Sequence, residues 1–136
     1  MAKLIIEGGH ALKGQITVQG AKNAALPILA AAMLIPEPVR IGNCPRLTDV
    51  EHMAGLLKAL GCRVEWGPDE LFIDAGSART AELPEALAGS IRSSVFLLGP
   101  LRGRFGAAEA PYPGGCDIGN RPVDLQIGRA SCRERV

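Results

Sequence analysis

The chain has 136 residues, 47% hydrophobic and 21% charged, with a formal net charge of +1 at pH 7. That length suits one domain or a piece of one, and the composition suits a globular chain in water. The near-neutral charge excludes a broad field for nucleic acid or an anionic membrane, so any anion site has to be built from a few placed groups.

In chain order, Leu4 to Glu7 reads as a short strand closed by Gly8-Gly9, and Gln15 to Val18 alternates polar and apolar as a second strand. Only Leu4-Ile5-Ile6 separate Lys3 from Glu7, too short for the apolar part of an export signal. Asn23 to Leu34 is rich in Ala, Leu and Ile and predicts a helix, with Asn23 as its N-cap and Pro27 near the first turn. The apolar run from Ala24 to Ile35 holds Pro27 and is too short to cross a bilayer, so no membrane association and a cytoplasmic location are expected. Pro36 and Pro38 stop the helix, and Val39 to Ile41 is a third strand.

Thr48-Asp49-Val50-Glu51 has the form of a capping box. Val50, Met53, Ala54, Leu57 and Leu60 then recur at helical spacing until Gly61, a C′ residue. Arg63 to Trp66 and Leu71 to Asp74 form a hairpin around Gly67-Pro68-Asp69-Glu70. Ser90 to Leu98 predicts a helix stopped by Gly99-Pro100, Ala107 to Ala110 a further strand, and Pro111 to Pro122 a loop. The order of elements predicts a mixed α/β (α+β) fold with layered helices and sheet.

Three places carry candidate chemistry. Lys22 and Asn23 sit at the start of an apolar helix, where main-chain N–H groups and the helix dipole favour an anion; a plain cap with a solvated lysine fits the same residues. Cys116 follows Gly114-Gly115 in a loop, with Arg121 favouring the thiolate and Asp117 opposing it. That thiol suits a nucleophile, acid or base, or a passive loop cysteine. Arg92, at the head of a helix, opposes the dipole there, a hint of a ligand contact beside the alternative of a solvated arginine. The four cysteines, Cys44, Cys62, Cys116 and Cys132, lack metal-site spacing; Cys62 opens an amphipathic strand and reads as a core residue, while His10 and His52 read as surface residues.

Together, GAKNAALPILAA at 20–31, PRLTDVEHMAGLLKALG at 45–61, IRSSVFLLGPL at 91–101 and PGGCDIGNRPVDL at 113–125 resemble the enolpyruvyl transferases that act on UDP-N-acetylglucosamine. The likeness runs from about Lys3 to Ile127. It implies transfer of the enolpyruvyl group of phosphoenolpyruvate to the sugar 3-hydroxyl with release of phosphate, at the start of peptidoglycan precursor synthesis. No metal or other cofactor and no obligatory protein partner are implied. Residue by residue, Lys22 and Asn23 would bind phosphoenolpyruvate. Cys116 would be the proton donor to its methylene carbon, and the residue alkylated by fosfomycin. Arg92, Arg121, Pro122, Val123, Asp124 and Leu125 would bind UDP-N-acetylglucosamine. Gln126 departs from the histidine of many relatives, which leaves one nucleotide contact in doubt.

The resemblance also implies a two-lobe fold built from repeated βαβαββ units, an inside-out α/β barrel, in a much longer chain. Residues 1–21 are then strands of the other lobe, 22–127 a partial lobe, and 128–136 a non-native tail. With half of the cleft outside the sequence, the chain alone is expected to be inactive and to expose core surface. The rival readings are the sister transferase acting on shikimate 3-phosphate and a non-catalytic nucleotide-sugar-binding fragment.

Ile127 to Val136 can be encoded by ATC GGA AGA GCG TCG TGT AGG GAA AGA GTG, which resembles a sequencing-adapter read in frame; an ordinary disordered basic terminus is the alternative reading. Residues 127–136 hold three arginines and one glutamate, so without them the formal charge becomes −1. Sequencing the locus from independent DNA is expected to return a different reading frame after codon 127; recovery of the same ten codons refutes the adapter origin.

Overall fold

The computed structural model describes residues 3–114 and Val123. The elements in order are α1 (Lys22–Ala32), β1 (Val39–Gly42), α2 (Thr48–Ala59), β2 (Arg63–Trp66), β3 (Glu70–Asp74), the one-turn α3 (Glu85–Ala88), a 3-10 helix (Arg92–Leu97) and α4 (Leu98–Phe105). This is the mixed α/β chain that the sequence predicts, with differences at several element ends.

The strands form one sheet in the order β1-β3-β2, with β3 antiparallel to both neighbours. β1 and β2 therefore run parallel on either side of β3, joined by α2 as a split β-α-β crossover. Alternation decides the faces. Val39, Ile73 and Val64 form one row across the sheet, and Ile41, Leu71 and Trp66 the next; Val64, Leu71 and Ile73 are buried and the other three pack partly buried against the core. The opposite face carries Arg40, Arg63 and Glu65 around Phe72, with Arg40 paired to Glu70, and Arg63 to Glu65 at 2.8 Å. Both guanidinium groups lie 5.7–5.8 Å from the Phe72 ring centre. Charge on the two edge strands opposes further strand pairing.

α2 buries Val50, Met53, Ala54, Leu56 and Leu57, and Leu60 follows at its C-cap. These apolar positions recur every three or four residues, so one stripe of the helix faces the sheet and α1. Burying each Leu stabilises by roughly 1.5–3 kcal/mol relative to exposure. α2 ends as the sequence predicts. Gly61 takes φ +96°, its N–H bonds the Lys58 carbonyl at 2.9 Å, and the Cys62 N–H bonds Leu57 at 3.0 Å, the paired bonds of a Schellman motif.

Several expectations are corrected. The strands expected at Leu4 to Glu7 and Gln15 to Val18 are not formed. Residues 3–20 have no strand partner among the described residues, and Leu4, Ile5, Ile6, Leu12, Ile16 and Val18 are 75–97% exposed. Without a neighbouring strand to accept their main-chain bonds, alternating residues alone do not make a sheet. Asn23 is not the N-cap of α1: the extended residue is Ala21, the first bonds run from Ala24 and Ala25 to its carbonyl, and no side chain caps the helix. Pro27 thus lies inside the helix, as its sixth residue. The capping box is also absent. Leu47 is the extended N-cap, and Glu51 takes a 2.9 Å ion pair from Arg46 instead.

Gly99-Pro100 does not stop the third helix. A 3-10 turn over Arg92–Leu97 gives way to α4 at Leu98, so Pro100 falls in the new helix's first turn, where its missing N–H costs no helix bond. Ala107 to Ala110 is no strand but a single parallel bridge, Glu82 to Glu109. Leu57→Ala, at a position with no exposure, is expected to lower unfolding free energy by about 2–5 kcal/mol; urea denaturation checks this against Phe96→Ala on the exposed side.

Candidate functional site

Two helix starts are brought together at one end of the fold. Lys22 is the first residue of α1 and Asp49 the second of α2. The Lys22 Nζ lies 2.7 Å from Asp49 Oδ2, each side chain about four-tenths exposed. A cation at a helix N-terminus is disfavoured by the dipole and a carboxylate there is favoured, so the bridge puts the misplaced charge against the well-placed one. At this exposure such a pair stabilises the fold by only about 0–1 kcal/mol.

The backbone before α1 holds this geometry independently of the charges. The Gly20 N–H donates to Asn43 Oδ1 at 3.2 Å, and Asn43 itself has φ +50°. A Cβ on Gly20 would meet the Asn43 carbonyl oxygen at 2.1 Å, so only glycine permits this approach. The entry to α1 is thereby clamped to the loop that leads into α2.

Three residues after Asp49, and so on the same side of α2, His52 is half-buried, not a surface residue as the sequence suggests. Its Nδ1 is 3.4 Å from Ser90 Oγ, which donates to the Leu87 carbonyl at 2.6 Å. Ser90 follows Gly89, the C-cap of α3, and Gly114 lies directly on it: a Cβ at Gly114 would fall 1.5 Å from the Gly89 carbonyl oxygen. The stem of the glycine-rich loop is therefore seated beside the α2 face that carries His52.

Arg92, half-buried, opens the 3-10 helix, which packs on α1 and α2. The turn is braced by Ser94, whose buried hydroxyl donates to the Ala88 and Ile91 carbonyls at 3.1 and 2.9 Å. Asn23 is exposed beside Lys22, and Val123 is buried at 3% exposure. Cys116, Arg121, Pro122, Asp124 and Leu125 lie outside the described residues, as do Gln126 and the 128–136 tail. Among the described residues no group of His, Cys, Asp or Glu is placed to hold a metal ion, and no helix is long and apolar enough to cross a membrane.

The described thiols differ from an activated one. Cys62 is a core residue, 3.2 Å from Met33 Sδ, and burial pushes its pKa up to about 11. Burial also raises that of Cys44. Asp49 is the site residue that the sequence does not single out. Its place in the Thr48–Glu51 pattern reads as capping, and only the tertiary fold brings it to Lys22.

The family model described as EPSP synthase (3-phosphoshikimate 1-carboxyvinyltransferase) matches residues 6–128. The chain belongs to the EPSP synthase family. Within that family its sequence is similar to UDP-N-acetylglucosamine 1-carboxyvinyltransferase of Trichlorobacter lovleyi, 49% identical, and to UDP-N-acetylglucosamine 1-carboxyvinyltransferase 1 of Carboxydothermus hydrogenoformans, 50% identical. Each alignment runs over 127 residues, 93% of this chain and 30% of the relative. The EPSP synthase-family fold is matched by the solved enolpyruvyl transferase NikO from Streptomyces tendae, with TM-score 0.68 and 33% identity over 74% of this chain and 24% of that one. The chain thus spans about 30% of the length of the curated relatives it matches.

Gly20→Ala is expected to lower stability by about 1–3 kcal/mol through forced backbone displacement, read as a lower urea midpoint at unchanged slope. Gly14→Ala, with open space around the added carbon, is the control and should leave the midpoint in place.

Proposed function

We propose that this chain supplies the phosphoenolpyruvate-binding end of an enzyme that transfers the enolpyruvyl group to the 3-hydroxyl of UDP-N-acetylglucosamine, in peptidoglycan precursor synthesis. The observation that carries the reading is the Lys22 ammonium group at the start of α1, clamped beside the start of α2. The names of relatives 49–50% identical over 93% of the chain support the choice of acceptor.

In this reading Lys22, Asn23 and the α1 N-terminus receive the phosphate or carboxylate of phosphoenolpyruvate. Cys116 delivers a proton to the methylene carbon while the sugar oxygen bonds the neighbouring carbon and its hydroxyl proton leaves to a base. Loss of a proton from the methyl carbon so formed, with cleavage of the carbon–oxygen bond to phosphate, restores the enol ether and releases phosphate. Arg92 lines the cleft for the nucleotide sugar, with Arg121 to Leu125. Fosfomycin alkylates Cys116, and the reaction takes place in the cytoplasm. Cationic groups around the leaving phosphate, beyond those in this chain, and the base come from the additional length that the relatives possess, so the 136 residues alone do not turn over. The sister reaction on shikimate 3-phosphate is the second reading, favoured by the description of the matching family model.

The test joins residues 1–127 to the remaining length of the Trichlorobacter lovleyi relative. Phosphate release is expected only with both phosphoenolpyruvate and UDP-N-acetylglucosamine, and none from the 136-residue chain. Cys116→Ser should lower turnover by roughly 100-fold or more, as for loss of a positioned acid. Release with shikimate 3-phosphate in place of the nucleotide sugar selects the sister reaction; unchanged turnover in Cys116→Ser refutes the acid role.

A further inference from the structure

We infer that His52 is a positioning residue for the glycine-rich loop: from α2 its ring hydrogen-bonds Ser90 and so holds in place the Gly89 carbonyl on which Gly114 is seated. This rests on the reading of Cys116, two residues beyond Gly114, as the proton donor.

Three observations carry it. The 3.4 Å contact joins residues 38 apart in sequence, so it ties α2 to the segment between α3 and the 3-10 helix. The residues of the seat are held in the main chain: the Gly89 N–H donates to the Glu85 carbonyl at 2.9 Å and the Ser90 N–H to the Leu87 carbonyl at 3.2 Å. A planar trans peptide points its C=O opposite to its N–H, so the Ser90 bond aims the Gly89 carbonyl away from Leu87. That carbonyl meets Gly114, where a Cβ would fall 1.5 Å from the oxygen. Only glycine seats the stem so closely.

The direction of the His52 contact follows from the protons available. A serine hydroxyl has one to donate. Ser90 gives it to the Leu87 carbonyl at 2.6 Å, a far shorter approach than the 3.4 Å to His52. Ser90 Oγ therefore accepts from His52, and the neutral ring carries its proton on Nδ1. Leu87 receives both the N–H and the O–H of Ser90, and His52 supplies the donor for the hydroxyl oxygen. Without that donor Ser90 is held from α3 alone, and the seat is tied to α2 only by packing.

Two measurements test this. The first uses the 136-residue chain, whose histidines are only His10 and His52, with NMR of labelled imidazole and amide nitrogens at about pH 8.5, where free imidazole is neutral. His52 should show its proton on Nδ1, and Ser90→Ala should remove that preference, with the exposed His10 as reference. The Gly114 amide signal should move in His52→Leu and return in His52→Asn, whose amide nitrogen stands in for Nδ1, while the Gly14 signal stays in place. A wild-type proton on Nε2, or a Gly114 signal that does not distinguish His52→Leu from His52→Asn, overturns the proposal, whatever the enzyme assay gives.

The second uses the joined full-length enzyme. His52→Leu should lower kcat by roughly 5-fold, the effect of one lost hydrogen bond, with both KM values within about 2-fold, and His52→Asn should restore kcat. In a Gly114→Ala background the loss should vanish, since the two act through one seat. An equal loss in His52→Asn, or an undiminished one beside Gly114→Ala, would instead assign His52 a purely structural role. A wild-type joined enzyme that releases no phosphate defeats the proposed function, and the NMR measurement still decides the role of His52.

Discussion

The packing of α1 against α2 is the constraint on which the rest depends. α1 presents Leu and Ala to α2 and the 3-10 helix, and α2 presents Val, Met and Leu to α1 and β2, and these stripes leave little freedom in how the two helices lie. Once that seam is closed, the two helix starts come together at one end. Lys22 and Asp49 meet there although neither takes part in the apolar contact. The charged groups did not create the arrangement; they occupy a geometry that hydrophobic burial and the Gly20 approach had already set. Ionic chemistry at a half-exposed site is cheap to retain when a separate apolar interface carries the stability.

Much of the fold was legible because its signals are local and periodic. The α2 stripe from Val50 to Leu60, the Gly61 terminus and the Arg63–Asp74 hairpin each follow from spacing of a few residues, and the structure has all three. What was not legible depends on partners. The alternation at Gln15 to Val18 is strand-like, yet a strand exists only beside another. Gly99-Pro100 looks like a stop until the 3-10 turn before it moves the helix start to Leu98. The Thr48–Glu51 pattern satisfies a capping rule, but the extended residue falls one position earlier, at Leu47, and both acids turn to basic partners.

The candidate site divides in the same way. Lys22 stood out from residue type and place alone, as a cation opening an apolar helix. Asp49 and the seating of Gly114 on Gly89 did not, because each is a contact between segments distant in sequence. Cys62 shows the converse. Its amphipathic setting identified it as a core residue, and the buried thiol, raised to about 11, is chemically quiet for the same reason.

The Arg104 side chain reaches back across the whole unit to donate to the Met33 carbonyl at 2.8 Å, at the C-cap of α1. This contact spans 71 residues and joins the first described helix to the last described one. During synthesis the Met33 carbonyl therefore keeps water as its partner until Arg104 has left the ribosome, while the carbonyls of Ala30, Ala31 and Ala32 are already met by the local backbone. The last acceptor at the end of the opening helix is thus met by a residue made 71 positions later.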